Sequence, residues 1–284
     1  MTRRFAIATA TATFVLLLIG GLVNPTGSSL ACPDWPLCHG TAFPEMTGGV
    51  LYEHTHRLAA TTVGILTIVL AVLLLRERRR DPLLARLGVL AVVMVCVQGV
   101  LGGLTVLYQL PDWIWIAHLG LSMLFFLLLV FIAVRAGGAP RVAVSPRLAR
   151  KLREASFAIW LQIVLGAVVR HTGSALACVN DIPFCRGQVW PDFLGGKIHM
   201  AHRIFGVLVA LFAIEVSIRA ARELGGGLRR LAVAVPALVV AQIALGVWTV
   251  LSMVHLHIVE THLAVGVLLL LSLSVLAMRT EAAR

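Results

Sequence analysis

The chain has 284 residues, 59% of them apolar and 13% charged, with 24 Lys and Arg against 13 Asp and Glu and a formal net charge of +11. Soluble domains carry roughly 25% charged residues, so this composition, with a mean hydropathy of +0.94, excludes an ordinary soluble fold. The positive charge does not point to nucleic acid, because the basic residues are distributed between apolar runs rather than gathered in one patch.

Apolar runs about 20 residues long, the length that spans a bilayer core, are predicted near residues 5–23, 55–75, 87–107, 113–134, 155–170, 198–218, 230–251 and 257–278. Arg3 and Arg4 before the first run resemble the start of a signal peptide. Phe5 to Val23 is long for a signal core, however, and no convincing small-x-small cleavage site follows, so the run is expected to persist as helix one. A loop with Cys32-x5-Cys38 comes next, and Glu53, His54, His56 and Arg57 lead into the second run. The third run contains Cys96, expected to be a packing residue, and Gln98, expected to hydrogen-bond between helices; the fourth contains His118. A stretch rich in Gly, Pro and Arg, 135–153, is expected to link two halves, 1–134 and 154–284. Beyond it, Cys178-x6-Cys185, His199, His202, Arg203, Gln242 and His262 follow in the same order as their first-half counterparts.

That order reflects an internal repeat. Thr26-Gly-Ser-Ser-Leu-Ala-Cys32 recurs as Thr172-Gly-Ser-Ala-Leu-Ala-Cys178, and His56-Arg57 recurs as His202-Arg203. Gln98 and His118 recur as Gln242 and His262, all at offsets of 144 to 147 residues. Each half holds four helices, an even number, so the halves share one orientation. The predicted fold is an all-α polytopic membrane protein of eight transmembrane helices, arranged as two tandem parallel four-helix bundles.

Most basic residues fall at 3–4, 76–86, 135–153, 219–230 and 279–284; only Arg57, Arg170, Arg186, Lys197 and Arg203 lie on the other side. The positive-inside rule then places both termini in the cytoplasm and the cysteine loops outside a plasma membrane. Anionic lipid head groups are the expected partner of the basic side.

His56 and His118 in one half, and His202 and His262 in the other, each lie near the outer end of an even-numbered helix. Polar groups are costly inside a membrane and call for a partner. Two imidazoles on facing helices of a bundle can bind opposite faces of one porphyrin, and iron accepts neutral imidazole nitrogen. Zinc fits these four less well, since it wants four close ligands; the absence of C-x-x-C-H excludes covalent c-type attachment. Arg57 and Arg203 are either propionate partners or interfacial arginines. Glu53, three residues before His56, has His199 as its repeat counterpart. It reads as a carboxylate beside one heme site only, or as an acid favoured at a helix start. On the oxidising outer side, Cys32 with Cys38 and Cys178 with Cys185 read as disulfides, and a redox role for the first pair stays open. His39, His54, His171, His255 and His257 receive no role.

The Glu53-x-x-His56-Arg57 motif, the Cys-Pro-Asp-Trp-Pro-Leu-Cys loop at 32–38 and the duplicated four-helix unit with paired histidines resemble the heme A synthase family over nearly the whole chain. The resemblance implies oxidation of a ring methyl of heme O to a formyl group for cytochrome oxidase assembly. It implies that His56 and His118 border the substrate heme O, that His202 and His262 ligate a heme b cofactor, and that Glu53 is the catalytic carboxylate. It also implies a Cys32–Cys38 loop disulfide, while the second pair belongs to only some members. His54 inside the motif is a mild departure. A heme O synthase (a farnesyltransferase) and an unidentified electron acceptor are the implied partners.

Two other readings remain open on the residues. A diheme b-type membrane electron carrier without substrate turnover accommodates everything except Glu53. A transporter or channel would accommodate the parallel repeat, but the chain lacks Gly/Pro-broken helices flanking a midplane charge.

Overall fold

The computed structural model describes residues 1–179 and 181–283. Among these, eight helices are long and apolar enough to cross a membrane. They are α1 (Thr2–Val23), α2 (Gly48–Arg76), α3 (Pro82–Leu107), α4 (Asp112–Arg135), α5 (Pro146–His171), α6 (Leu194–Glu223), α7 (Gly226–Leu251) and α8 (Leu256–Arg279). Two short strands, β1 (Val142–Val144) and β2 (Thr280–Ala282), pair in parallel and bring the end of α8 beside the start of α5.

The chain divides into two compact units, Met1–Ala139 and Pro140–Arg284. In the first, α1 and α3 each pack on both α2 and α4, so α2 and α4 occupy one diagonal of an up-and-down four-helix bundle. In the second, α5 and α7 likewise flank α6 and α8. Leu70, Leu74, Met123, Leu129 and Ile132 are fully buried in the first bundle, as are Leu148, Leu152, Leu270, Leu273 and Leu276 in the second. Each bundle also presents apolar side chains outward: Ile65, Val93, Leu211 and Val240 are all more than half exposed. Lipid, not water, is the solvent that such faces suit.

Local signals explain the helix starts. Asp81 caps α3 by accepting from Leu83 N and Leu84 N at 3.1 Å, with Pro82 in the first turn. Ser145 caps α5 by accepting from Leu148 N at 3.3 Å, again ahead of a proline, Pro146. This cap starts α5 well before the apolar run at 155–170, and the helix takes in the basic second part of the stretch expected as linker. α2 and α6 also begin earlier than their apolar runs, which sets Glu53 and His56, and His199 and His202, inside helical turns rather than at helix starts. α7 continues through Pro236.

The repeat extends to backbone conformation. Gln109 and Leu110 after α3, and Met253 and Val254 after α7, all take positive φ, which is uncommon away from glycine. Leu110 N donates to Thr105 O at 2.7 Å, and Val254 N donates to Thr249 O at 2.8 Å, so one turn is built twice. One expectation is corrected: Cys96 is exposed on α3 instead of packing inside its bundle, on the side of the helix away from buried Ala91 and Gln98.

Candidate functional site

At one end of the first bundle the segment 24–47 folds over the helices. Cys32 and Cys38 form a disulfide with S–S 2.01 Å. Asp34 holds the loop tip, its carboxylate accepting from His39 N at 2.6 Å and Gly40 N at 2.8 Å. The Gly40 amide is the main reason the Asp34 carboxyl lies below its ordinary range. Trp35 from the loop rests on Gly103 of α3, where an added Cβ would stand 2.7 Å from the indole ring.

Arg57 reaches up from α2 and gathers the loop's carbonyls. Its Nη1 donates to Asp34 O at 2.7 Å and to Leu37 O, and its Nη2 donates to Cys32 O at 3.0 Å. Nη2 also pairs with Glu53 Oε1 at 2.5 Å. Glu53 is 4% exposed, and its other oxygen accepts from Cys32 N at 2.9 Å. The carboxylate is thus directed at the disulfide loop and anchored there by a charge-assisted pair.

The second bundle repeats this frame. Cys178 and Cys185 are bonded at 2.03 Å. Arg203 donates to Cys178 O at 3.2 Å, Asp181 O at 2.9 Å and Phe184 O at 2.8 Å. In place of Glu53 stands buried His199, whose Nδ1–H donates to Ser174 O at 3.0 Å. Both arginines, read as either propionate partners or interfacial arginines, hold loop carbonyls here. Four of the five Arg57 N–H donors have partners, which leaves Nε–H for any further acceptor.

The four paired histidines share a common setting. An added Cβ at Gly20 would lie 2.8 Å from the His56 ring, at Gly102 3.5 Å from His118, at Gly166 3.2 Å from His202 and at Gly246 3.1 Å from His262. Each imidazole therefore nests against a glycine on an adjacent odd-numbered helix. His56 (α2) and His118 (α4) come from the diagonal of the first bundle and lie within electrostatic reach of each other; His202 (α6) and His262 (α8) do the same in the second.

Among the described residues, Nδ1 of His56, His118 and His262 is buried without a hydrogen-bond partner. Such orphans are rare in a well-satisfied interior. An imidazole lone pair aimed into a bundle from each of two diagonal helices suits an iron porphyrin with two axial ligands, and the residues present fit that group. Gln98 Nε2 donates to His118 O at 3.0 Å, and Gln242 Nε2 approaches His262 Nε2 at 3.4 Å, which gives both glutamines the interhelical bonds expected of them.

Sequence reading missed three features. Gln162 of α5 donates to His202 Nδ1 at 3.1 Å and to His202 O at 3.0 Å; its repeat counterpart is Leu16, and a lone amide in an apolar run was the available signal. Glu260 of α8, two residues before His262, has both oxygens buried without a hydrogen-bond partner among the described residues, while Arg170 of α5 acts on it electrostatically. The second bundle is therefore not free of buried acid. Finally, His54 lies against the first disulfide, a ring nitrogen within 4.8 Å of both sulfurs.

A family model described as cytochrome oxidase assembly protein matches residues 3–274. A heme A synthase of an Exiguobacterium species is 30% identical over 242 residues, covering 84% of this chain and 79% of the relative. The heme A synthase of Symbiobacterium thermophilum is 30% identical over 257 residues, covering 86% and 84%. That of Bacillus licheniformis is 31% identical over 228 residues, covering 76% and 74%.

Proposed function

The chain belongs to the cytochrome oxidase assembly protein family, and from that premise we propose that it is a heme A synthase, an oxidoreductase that converts the ring methyl of heme O into the formyl group of heme A. The first bundle binds the substrate between His56 and His118. The second holds a heme b cofactor between His202 and His262, which supplies one-electron redox chemistry when bound. One observation carries this reading: glycine-nested histidines recur on both bundle diagonals, while at the position where the second bundle has His199 the first carries Glu53, a carboxylate anchored to the disulfide loop.

The residues of this chain then have distinct tasks. Arg57 and the Cys32 amide both donate to Glu53 and fix its carboxyl group in place, and a carboxylate so placed would stabilise positive charge developing at an oxidised methyl carbon. The same carboxylate can take a proton from water that adds there. Arg57 orders the loop that closes this end of the bundle. Among the described residues Arg203 places three N–H groups on loop carbonyls and Arg57 places three on carbonyls and a fourth on Glu53, so Arg203 is the better propionate partner. Gln162 and Gln242 orient the imidazoles of the second bundle.

The protein is a multi-pass membrane protein. A basic residue closes the last turn of α2, α4, α6 and α8, at Arg76, Arg135, Arg222 and Arg279, which supports cytoplasmic termini and disulfide loops outside. Heme O would come from a membrane farnesyltransferase, and electrons would leave to a separate acceptor.

The test is chromatographic identification of hemes extracted from the purified protein, produced with and without a heme O supply. Heme b together with heme O or heme A, the latter only when heme O is supplied, is the expected result. Heme b alone under both conditions would make the protein an electron carrier.

A further inference from the structure

The pairing of His54 with the first disulfide is absent from the repeat. Position 200 in the second bundle, the counterpart of His54, is Met200, which packs with Cys178 and Cys185 as part of an apolar cluster. In the first bundle an imidazole takes that place. Cys32 and Cys38 are fully buried and His54 is 4% exposed. His54 Nε2 meets Ala42 O at 3.1 Å. A carbonyl only accepts, so Nε2 carries the proton in the neutral ring and Nδ1 is left as a lone pair. That Nδ1 is buried and has no hydrogen-bond partner among the described residues.

We propose that the reduced Cys32 and Cys38, together with His54, form a binding site for a zinc-class divalent cation. Two thiolates and a neutral imidazole are a donor set such cations prefer, at about 2.3 Å for sulfur and 2.1 Å for nitrogen. Tetrahedral geometry sets ligand atoms about 3.6 to 3.8 Å apart; a His54 ring nitrogen already lies within 4.8 Å of both sulfurs, and reduction frees the two bonded sulfurs to separate to that spacing. Water completes the fourth position. The redox step balances with a dithiol of the thiol–disulfide oxidoreductase class: its two thiols become a disulfide, and the Cys32–Cys38 bond takes up two electrons and two protons. Cation binding then releases both thiol protons. Because Cys32 N also donates to Glu53, capture of a cation would disturb that carboxylate; this consequence, unlike the binding, rests on the role given to Glu53.

The test uses the full-length heme-loaded protein in detergent, reduced with a phosphine without air and equilibrated with zinc under chelator competition. Bound zinc is counted by elemental mass spectrometry after desalting, and its ligands are read by X-ray absorption at the zinc edge. One zinc per chain is expected in the reduced protein only, with sulfur and imidazole in its shell, and it should be lost on reoxidation. Cys32→Ser should abolish it. His54→Met, which copies the arrangement at Met200, should weaken it at least tenfold with the heme spectrum unchanged. Equal zinc in oxidised and reduced protein, unaltered affinity in His54→Met, or zinc removed by Cys178→Ser and not by Cys32→Ser would each overturn the proposal. Should the first-loop variants lose heme, a wild-type spectrum without two sulfur ligands would overturn it equally.

Discussion

Glu53 Oε2 accepts the backbone N–H of Cys32 across 2.9 Å, which joins a buried carboxylate of α2 to the disulfide loop above it. With Arg57 on its other oxygen, Glu53 is fixed at a position where the second bundle carries His199 instead of a carboxylate.

Glu53→Gln keeps an acceptor for the Cys32 amide and removes the charge. Heme A formation is expected to fall on the order of a hundredfold, a loss of about 3 kcal/mol of transition-state stabilisation. Heme O or a partly oxidised alcohol should accumulate while the second-bundle heme stays bound, as read by chromatography of extracted hemes. Near-normal heme A output would remove Glu53 from the chemistry, and loss of both hemes would assign it to structure.

The glycine nests give a paired test of the two bundles. Gly20→Ala places a Cβ 2.8 Å from the His56 ring, and Gly166→Ala places one 3.2 Å from His202. The first should cut heme A formation at least tenfold with the resident heme spectrum intact. The second, like His202→Ala or His262→Ala, should diminish the low-spin bis-histidine signal. A purified His202→Ala protein with a full, unchanged heme spectrum would end the heme b assignment.

Trp35 on Gly103 seals the loop against α3. Gly103→Ala forces the indole off its seat, since a Cβ at 2.7 Å from the ring cannot be accommodated in place; overpacking of this kind costs about 1–3 kcal/mol. The Cys32–Cys38 disulfide should then be reduced by a water-soluble phosphine several-fold faster, while Cys178–Cys185 keeps its wild-type rate. Equal rates in mutant and wild type would show that Trp35 does not guard the disulfide.

Asp34 predicts an acid limit for loop order. Its folded carboxyl lies below the ordinary value of 3.8, chiefly through the Gly40 amide. A lowered folded value contributes stability that is present above the unfolded pKa and is lost as pH falls through the folded one. Phosphine reduction of the first disulfide should therefore be flat from neutral pH down to about pH 4 and accelerate below it, and Asp34→Asn should be fast throughout. Acceleration that begins well above pH 5 in the wild type would assign the control to another group.

The sidedness can be read in cells. After mild reduction, an impermeant thiol reagent should label Cys32 and Cys178 in intact cells. Labelling that appears only after permeabilisation would invert the topology.

Eight spans, the tandem repeat and the four paired histidines were legible in the sequence, because each rests on a local quantity. Bilayer thickness sets the length of an apolar run, and a histidine within one stands out whatever surrounds it. Arg57 and Glu53 were visible as residues, but their partners were not. That Arg57 would hold the carbonyls of Cys32, Asp34 and Leu37 depends on how segment 24–47 folds back over α2. The glycines under the imidazoles, Arg170 opposite Glu260, Gln162 on His202 and His54 beside a disulfide likewise depend on helix rotation and on side chains far apart in the chain. Hydropathy determines which segments enter the bilayer and charge bias determines their direction, but neither selects which face of a helix meets its neighbour; long-range packing decides that, and with it the composition of each site.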